Sequence, residues 1–321
     1  MKTPEVSVVI AAYNCGNFIQ ETISSVINQT FQNWELIIVD DCSSDDTSEK
    51  ITALSDQRIR IIRLDKNSGL PATPRNKGIR AAKGQFIAFL DHDDTWSPEK
   101  LEVQIRCLRE DPETALIGCP FKIRSPDRKY NDTKTTPKRK CQTGNLYDRL
   151  LHYNFIACSS VVVKASVLNE VGIFDENPEV SAAEDWDLWL RIARRHKIRF
   201  MPQTLGVYRM HGSGLSTGTK QMQRILYVID KHAKNGWIST GQADKAKANF
   251  YFVEGWFVIG RDVKLAKAMF HNALNLNKAN LKIFCGSLLG LSLSLFPNLC
   301  KYIKNNYLDR KIKHILNLES Q

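Results

Sequence analysis

Short apolar runs recur along the first half of the chain. Val6 to Ala11, Leu36 to Val39, Ile59 to Leu64 and Phe86 to Leu90 are rich in β-branched residues and too short for helices. Between them, residues 18–29, 46–55 and 73–82 carry apolar positions at helical spacing. Strands that are largely apolar and alternate with helices predict an α/β fold, a mostly parallel sheet flanked by helices. Ser97-Pro98-Glu99 ahead of Lys100 to Glu110 reads as a helix start, with a capping hydroxyl, a first-turn proline and an acid in order.

Beyond a further strand at Ala115 to Phe121, residues 122–143 are polar and patternless and are expected to form a mobile loop. Order resumes with strands at Cys158 to Lys164 and Leu205 to Met210, and with a helix over Glu184 to Arg195 carrying Trp186 and Trp189. The Gly/Ser stretch His211 to Thr219 reads as a boundary, with an α/β domain over 1–218 and an α-helical C-terminal region over 219–321. Residues 248–276 have the spacing of a single tetratricopeptide-type hairpin, with Gly255, Ala266, Phe270 and Ala273 at packing positions. One copy cannot stack into a solenoid, so a plain helix hairpin is expected. Ile283 to Leu299 is 17 residues without a charge and contains Pro297. That is short of the roughly 20 residues needed to cross a bilayer, so a buried or interfacial helix is expected.

Charge changes the reading of that second part. Of a net +11, nearly all lies from Lys220 onward, where 16 Lys/Arg stand against 6 Asp/Glu, compared with 29 against 28 before it. A basic tract can be a solvated helical face, a nucleic-acid patch or a membrane-attachment surface. No zinc-finger or ribonucleoprotein signature is present, so no nucleic-acid partner is expected. Beside the uncharged run, the tract points to an anionic membrane surface. The eight cysteines show no C-x-x-C pair and Met1 to Pro4 lead straight into a strand-like run. Reduced thiols and a cytoplasmic location, peripheral on the inner face of the membrane, follow as expectations.

Candidate chemistry gathers where strands should end, since ligands of parallel α/β sheets bind beyond the carboxyl ends. The first strand exits into "AAYN", the second into Asp40-Asp41 and the fourth into Asp91-His92-Asp93-Asp94. Taken singly, Tyr13 is a core-edge tyrosine and Asp41 a helix cap; their convergence on one edge makes them a stacking face and a hydrogen-bond acceptor for a nucleoside. Extended backbone sends Asp91 and Asp93 to one side, where both can grip a hard cation, or one can bind the cation and the other a sugar hydroxyl. Alone, the stretch is equally compatible with a solvated acidic turn. Glu184 and Asp185 open a helix, where acids are ordinary macrodipole partners. His211 ends a strand before a Gly/Ser loop, where imidazole can complete a metal shell or simply face solvent.

The ordered motifs "VSVVIAAYN", "SVINQTFQNWELIIVDDCSSDDT", "NSGLPATPRNKGI", "GQFIAFLDHDDTW", "EDWDLWLR" and "YRMHGSG" resemble those of the family 2 glycosyltransferases, inverting enzymes of the GT-A fold. The resemblance implies nucleobase contacts at Tyr13 and Asp41, a ribose or donor-sugar contact at Asp91, and a ligand of Mn2+ or Mg2+ at Asp93, with His211 as an additional ligand. It further implies Asp185 as general base, Glu184 as an acceptor or donor-sugar contact, and a diphosphate contact at Arg75. Pro71 and Pro74 depart from the small residues usual before the Arg-Asn pair, which weakens the Arg75 assignment. The implied donor is a nucleotide-diphosphate sugar, UDP-linked by preference, and the implied acceptor a lipid-linked or growing surface glycan. Two rivals remain: a haloacid-dehalogenase-like phosphatase, from the D-x-D-x-T at Asp91 to Thr95, and a non-catalytic nucleotide-sugar-binding protein. The first lacks a downstream lysine and Asp-Asp pair, and the second predicts loss of Asp93 or Asp185, both present.

Overall fold

The computed structural model describes residues 3–125, 142–211, 219–259, 262–276 and 281–294. The chain divides into two compact units, one of residues 1–150 and 154–224, the other of residues 151–153 and the chain from Ile225 on.

The first unit starts with β1 (Val6–Ala12), α1 (Ile19–Ile27), β2 (Trp34–Asp40), α2 (Thr47–Thr52), β3 (Ile59–Arg63), α3 (Ala72–Ala81) and β4 (Phe86–Asp91). It continues through β5 (Thr95–Trp96), α4 (Lys100–Glu110), β6 (Thr114–Gly118), β7 (Lys122–Arg124), β8 (Gln142–Gly144) and α5 (Tyr147–His152). After a 3-10 turn at Cys158–Ser160 come β9 (Val162–Lys164), α6 (Ala165–Val171), α7 (Glu184–Ala193), β10 (Lys197–Phe200) and β11 (Gly206–Arg209). The main sheet runs β3-β2-β1-β4-β9-β6-β10-β8, and β5, β11 and β7 form a small second sheet. Strands β3, β2, β1 and β4 are parallel, whereas β9 lies antiparallel between β4 and β6.

Alternation explains the layers. Val6, Val8 and Ile10 of β1 join Leu36 and Ile38 of β2 and Ile19, Ile23 and Val26 of α1 in one core. On the other face, α3 lies so close that a Cβ at Gly78 would meet Val9 Cγ1 at 2.5 Å, so glycine is needed there for helix and sheet to touch. Each fully buried Ile or Leu side chain contributes about 1.5–3 kcal/mol, which makes this double-sided burial the main restraint on the strand ends.

Several expectations change. Strand β3 is an edge, with Ile61 42% exposed, because among the described residues no strand lies beyond it. The Ser97 hydroxyl does not cap α4; the Ser97 carbonyl accepts from Lys100 N at 3.1 Å, and no side chain caps the helix. Within 122–143, the ends are strands β7 and β8 rather than loop, since each finds a partner, β11 and β10 respectively; the rest of that stretch, 126–141, lies outside the described residues. The expected strand from Cys158 begins as a 3-10 turn and becomes extended at Val162. Of the His211 to Thr219 boundary, only its two ends are described.

The second unit holds most of α8 (Thr219–Lys234) together with α9 (Thr240–Val258), α10 (Val263–Leu276) and α11 (Leu281–Leu293). Ser239 and Gln242 form a reciprocal capping box that starts α9. The hairpin spacing is realised by aromatic packing: Ala266, Phe270 and Ala273 are buried, and a Cβ at Gly255 would meet Phe270 Cε1 at 2.7 Å. Among the described residues, no helix is long and apolar enough to cross a membrane. The uncharged run is described only as far as Ser294, and its remainder lies outside the described residues.

Candidate active site

The carboxyl ends of β1, β2 and β4 open into a cavity of about 740 Å³ within the first unit. Its lining includes every residue singled out from the sequence: Tyr13, Asp41, Arg75, Asp91, Asp93, Glu184, Asp185 and His211. Three strand ends meet there because β1 pairs in parallel register with both neighbours, aligning Ala12 with Asp40 and Ala11 with Asp91.

On the β1–β2 side, Tyr13 is 44% exposed, so it is no core-edge tyrosine. Asn14 follows at φ 45, a left-handed conformation that Asn tolerates better than most residues, and its Oδ1 accepts from Ser44 N at 2.9 Å. Asp41 is buried and caps no helix. Its Oδ1 accepts from Ser68 N at 2.9 Å and its Oδ2 from Ser68 Oγ at 2.7 Å and Asn67 Nδ2 at 3.2 Å, so it ties the 67–69 turn to the sheet edge.

Arg75 occupies the middle of the site. Pro71 is the N-cap of α3 and Pro74 sits in its first turn, where a missing N–H costs no helical hydrogen bond, so the two prolines leave the helix intact. One turn in, the Arg75 guanidinium donates from Nη2 to Asp91 Oδ1 at 2.6 Å and from Nη1 to Glu184 Oε1 at 2.5 Å. Burial pulls the Arg75 pKa down, but the thiol of Cys158 and the carboxylates of Asp91 and Glu184 more than offset this and hold it above its ordinary value. Arg75 therefore bridges the end of β4 to the start of α7. Glu184 Oε2 is buried on the cavity wall without a hydrogen-bond partner among the described residues.

Next to it, burial and the neighbouring Glu184 push the Asp185 carboxyl up to about 7. The turn before α7 is tight: Ala182 has φ 60, unusual for a residue with a Cβ, and Gln221 Nε2 donates to its carbonyl at 2.8 Å.

After Asp91 the chain distributes its charges. His92 Nδ1 lies 3.0 Å from Ala11 O, towards the sheet as alternation requires. Asp93 Oδ2 meets His211 Nε2 at 2.7 Å, both side chains 20% exposed, and His211 stacks on Phe18 at 5.0 Å. Asp94 is buried, bonded to Ser159 Oγ at 2.5 Å and to Arg209 N at 3.1 Å, and burial with Asp93 and Asp91 nearby raises its pKa well above the carboxylate range.

The Asp93–His211 pair suits a hard divalent cation. One carboxylate and one imidazole open on a polar cavity leave room for the waters and diphosphate oxygens that Mg2+ or Mn2+ prefers over an all-protein cage. Among the described residues no group of three or more His, Cys, Asp or Glu side chains is placed to hold a metal ion.

Sequence reading missed Ser159, Arg209, Gln221 and Phe18, because each acts through a contact distant along the chain; Ser159 and Asp94, for example, are 65 residues apart. Asn67 and Ser68 lay inside a quoted motif, yet their bonds to Asp41 had no local signal.

Fold and site together are those of an α/β group-transfer enzyme. The chain belongs to glycosyltransferase family 2: the model described as "Glycosyl transferase family 2" matches residues 7–172. The chain is 31% identical over 258 residues to the UDP-Glc:alpha-D-GlcNAc-diphosphoundecaprenol beta-1,3-glucosyltransferase WfgD of Escherichia coli, covering 79% of this chain and 93% of that protein. It is 34% identical over 215 residues to WfaP of the same organism and description, covering 66% and 79%. Staphylococcus aureus TarS residues 1–349 in complex with UDP-GlcNAc superposes with TM-score 0.66 at 18% identity, covering 96% of this chain and 92% of that one. A Pyrobaculum calidifontis mannosyltransferase, PcManGT, in complex with GDP-Man and Mn2+ gives TM-score 0.59 at 16% identity, covering 95% and 87%. These two share the fold. The phosphatase rival finds no support, and its motif starts at the end of β4, an interior strand of the sheet, with Asp91 engaged by Arg75. The family match ends before Glu184, Asp185 and His211, so their roles rest on geometry.

Proposed function

We propose that this glycosyltransferase is metal-dependent and inverting, moving a sugar from a UDP-linked donor to a hydroxyl of a lipid-linked or growing cell-surface glycan. The observation that carries the reading is the grouping, in one cavity, of the Asp93–His211 pair with an Asp185 carboxyl poised near 7. Tyr13 offers its exposed ring to the uracil, and Asp41 receives the base or ribose while holding the 67–69 turn. Asp91 and Glu184, oriented by Arg75, face the donor sugar, and the unpartnered Glu184 Oε2 accepts one of its hydroxyls. Arg75 is thereby assigned to carboxylate orientation first, with the diphosphate contact a second use of its charge. A divalent cation held by Asp93 and His211 would offset charge developing on the departing diphosphate. Asp185 takes the proton of the acceptor hydroxyl as that oxygen attacks the anomeric carbon opposite the leaving group, and one displacement inverts the centre.

The named substrates of WfgD and WfaP, UDP-glucose and a GlcNAc-diphosphoundecaprenol, support a lipid-linked acceptor. We assign catalysis to 1–218 and attachment to an anionic membrane at the cytoplasmic face to 219–321. The +10 balance from Lys220 onward supports this, as do Leu288 and Leu289, 44% and 54% exposed on α11.

The test is release of nucleoside diphosphate from UDP-, GDP- and dTDP-sugars with Mn2+ and an undecaprenyl-diphosphate-linked acceptor. UDP release that needs the acceptor and stops with EDTA is expected; no release from any donor overturns the reading. Cosedimentation with phosphatidylglycerol vesicles at low salt is expected, and full-length protein left in the supernatant removes the membrane assignment.

A further inference from the structure

We infer that Asp94 is a positioning residue that sets the register of β11 and so carries His211 to Asp93. The inference rests on the reading of Asp93 and His211 as cation ligands. Strand β11 is held antiparallel to β5 at only two positions, Gly206 against Trp96 and Val207 against Thr95. That ladder stops before Tyr208. On its other edge β11 runs parallel to β7 from Val207 to Arg209, and Met210 N donates to Arg124 O at 2.8 Å. On the β5 edge, past the last ladder pair, the Asp94 side chain takes over: its Oδ1 accepts the Arg209 backbone N–H at 3.1 Å, two residues before His211.

The other oxygen fixes the anchor. Asp94 Oδ2 accepts from Ser159 Oγ at 2.5 Å, and the same hydroxyl accepts from Asp91 N at 3.1 Å. Ser159 O in turn receives Trp96 Nε1 at 2.8 Å, and Asp94 N donates to Asp91 O at 3.2 Å. Asp94 and Ser159 are 1% and 0% exposed, so their side-chain oxygens are costly to leave without partners. One carboxylate thereby joins three segments distant in sequence: the turn after β4, the 3-10 turn and the end of β11. The remaining charges around β11 act on its outer side, where Arg209 Nη2 meets Glu21 Oε2 at 2.8 Å. A carboxylate that aligns the ligand-bearing strand acts on the metal site as an outer hydrogen-bond partner does, through the geometry of the residues that bind.

Replacement separates the roles. In Asp94→Asn the side-chain carbonyl can still accept from Arg209 N while the amide donates to Ser159 Oγ; in Asp94→Ala neither bond survives. Mn2+ titrated into protein with UDP, followed by the electron paramagnetic resonance of free Mn2+, should bind Asp94→Ala at least about 10-fold more weakly and Asp94→Asn within about 3-fold of wild type. Ser159→Ala, which removes only the anchor, should fall between them and keeps the test open if Asp94→Ala does not fold. A crystal structure of the metal-free Asp94→Ala or Ser159→Ala protein should show His211 drawn away from Asp93. An unchanged Asp93–His211 contact, or Asp94→Asn as weak as Asp94→Ala, overturns the inference. Wild-type protein that binds no Mn2+ with UDP instead overturns the cation reading, while the crystal structure still decides the register.

Discussion

Two buried cations in the first unit behave in opposite ways. Arg75 sits between Asp91 and Glu184, at 2.6 and 2.5 Å respectively, and keeps its charge. Lys100, 0% exposed, meets Gln104 Oε1 at 2.7 Å and the Trp96 ring at 3.9 Å, with no carboxylate bonded to it among the described residues. Burial therefore lowers the Lys100 pKa to about 7. Depth alone does not decide the state of a buried cation; the partners do, because only carboxylates return the solvation energy lost. One cation lines the candidate site, and the other is a cost carried by the core.

Breaking the first arrangement should have the largest effect. Arg75→Met strands Asp91 and Glu184 without their counter-charge, and a loss of about 3–5 kcal/mol of stability is expected in urea unfolding at pH 7.5. Unchanged stability would mean that the carboxylates find other partners. The same guanidinium restrains the Asp185 pKa, so a folded Arg75 variant should also shift its pH–rate midpoint upward.

Asp185→Asn tests the consequence of that neighbourhood. Transfer should fall about 10²- to 10⁴-fold while UDP binding, read by calorimetry, stays near wild type. Because the carboxyl must be ionised to act as a base and its pKa is near 7, wild-type kcat/KM should rise through pH 7 and level off above it. A rate already flat from pH 5 would remove Asp185 as the titrating base. Asp185 also has its folded pKa raised above the unfolded value. The native state then holds more protons between roughly pH 4 and 7, and stability falls with rising pH across that window.

The smallest effect sharpens the contrast from the other side. Lys100→Met removes a buried charge but leaves Gln104 Oε1 without its donor, so a net gain of about 1 kcal/mol at pH 6 is expected from thermal unfolding. The unfolded chain holds the Lys100 proton up to about pH 10.4 while the folded chain releases it near 7, so wild-type stability rises with pH between those values and the gain should shrink. A gain that does not change between pH 6 and 9 would mean Lys100 is not neutralised in the fold.

Much of this contrast was invisible along the chain. Lys100 looks like an ordinary first-turn residue, and its burial depends on α4 lying against the sheet with Trp96 beneath. The prolines before Arg75 looked like a flaw in a phosphate-binding motif; the fold accommodates both at the start of α3 and turns Arg75 to carboxylates supplied by β4 and α7. The site residues themselves were legible because they sit at strand ends, where apolar runs give way to Tyr13, Asp41 and Asp91. The edge position of β3 and the antiparallel insertion of β9 were not, since pairing order leaves no periodic trace in one strand.

By itself the sequence determined most of the strands and helices, where the carboxylates cluster, and that the basic excess belongs to the C-terminal part. Those are local properties, set by side-chain period and residue type. Only the tertiary structure decided that Arg75 bridges Asp91 and Glu184, that Asp94 serves Arg209 and Ser159, and that His211 meets Asp93 across 118 residues. Such pairings depend on strand order and on the desolvation that makes each buried polar group seek a partner, and both exist only once the layers have closed.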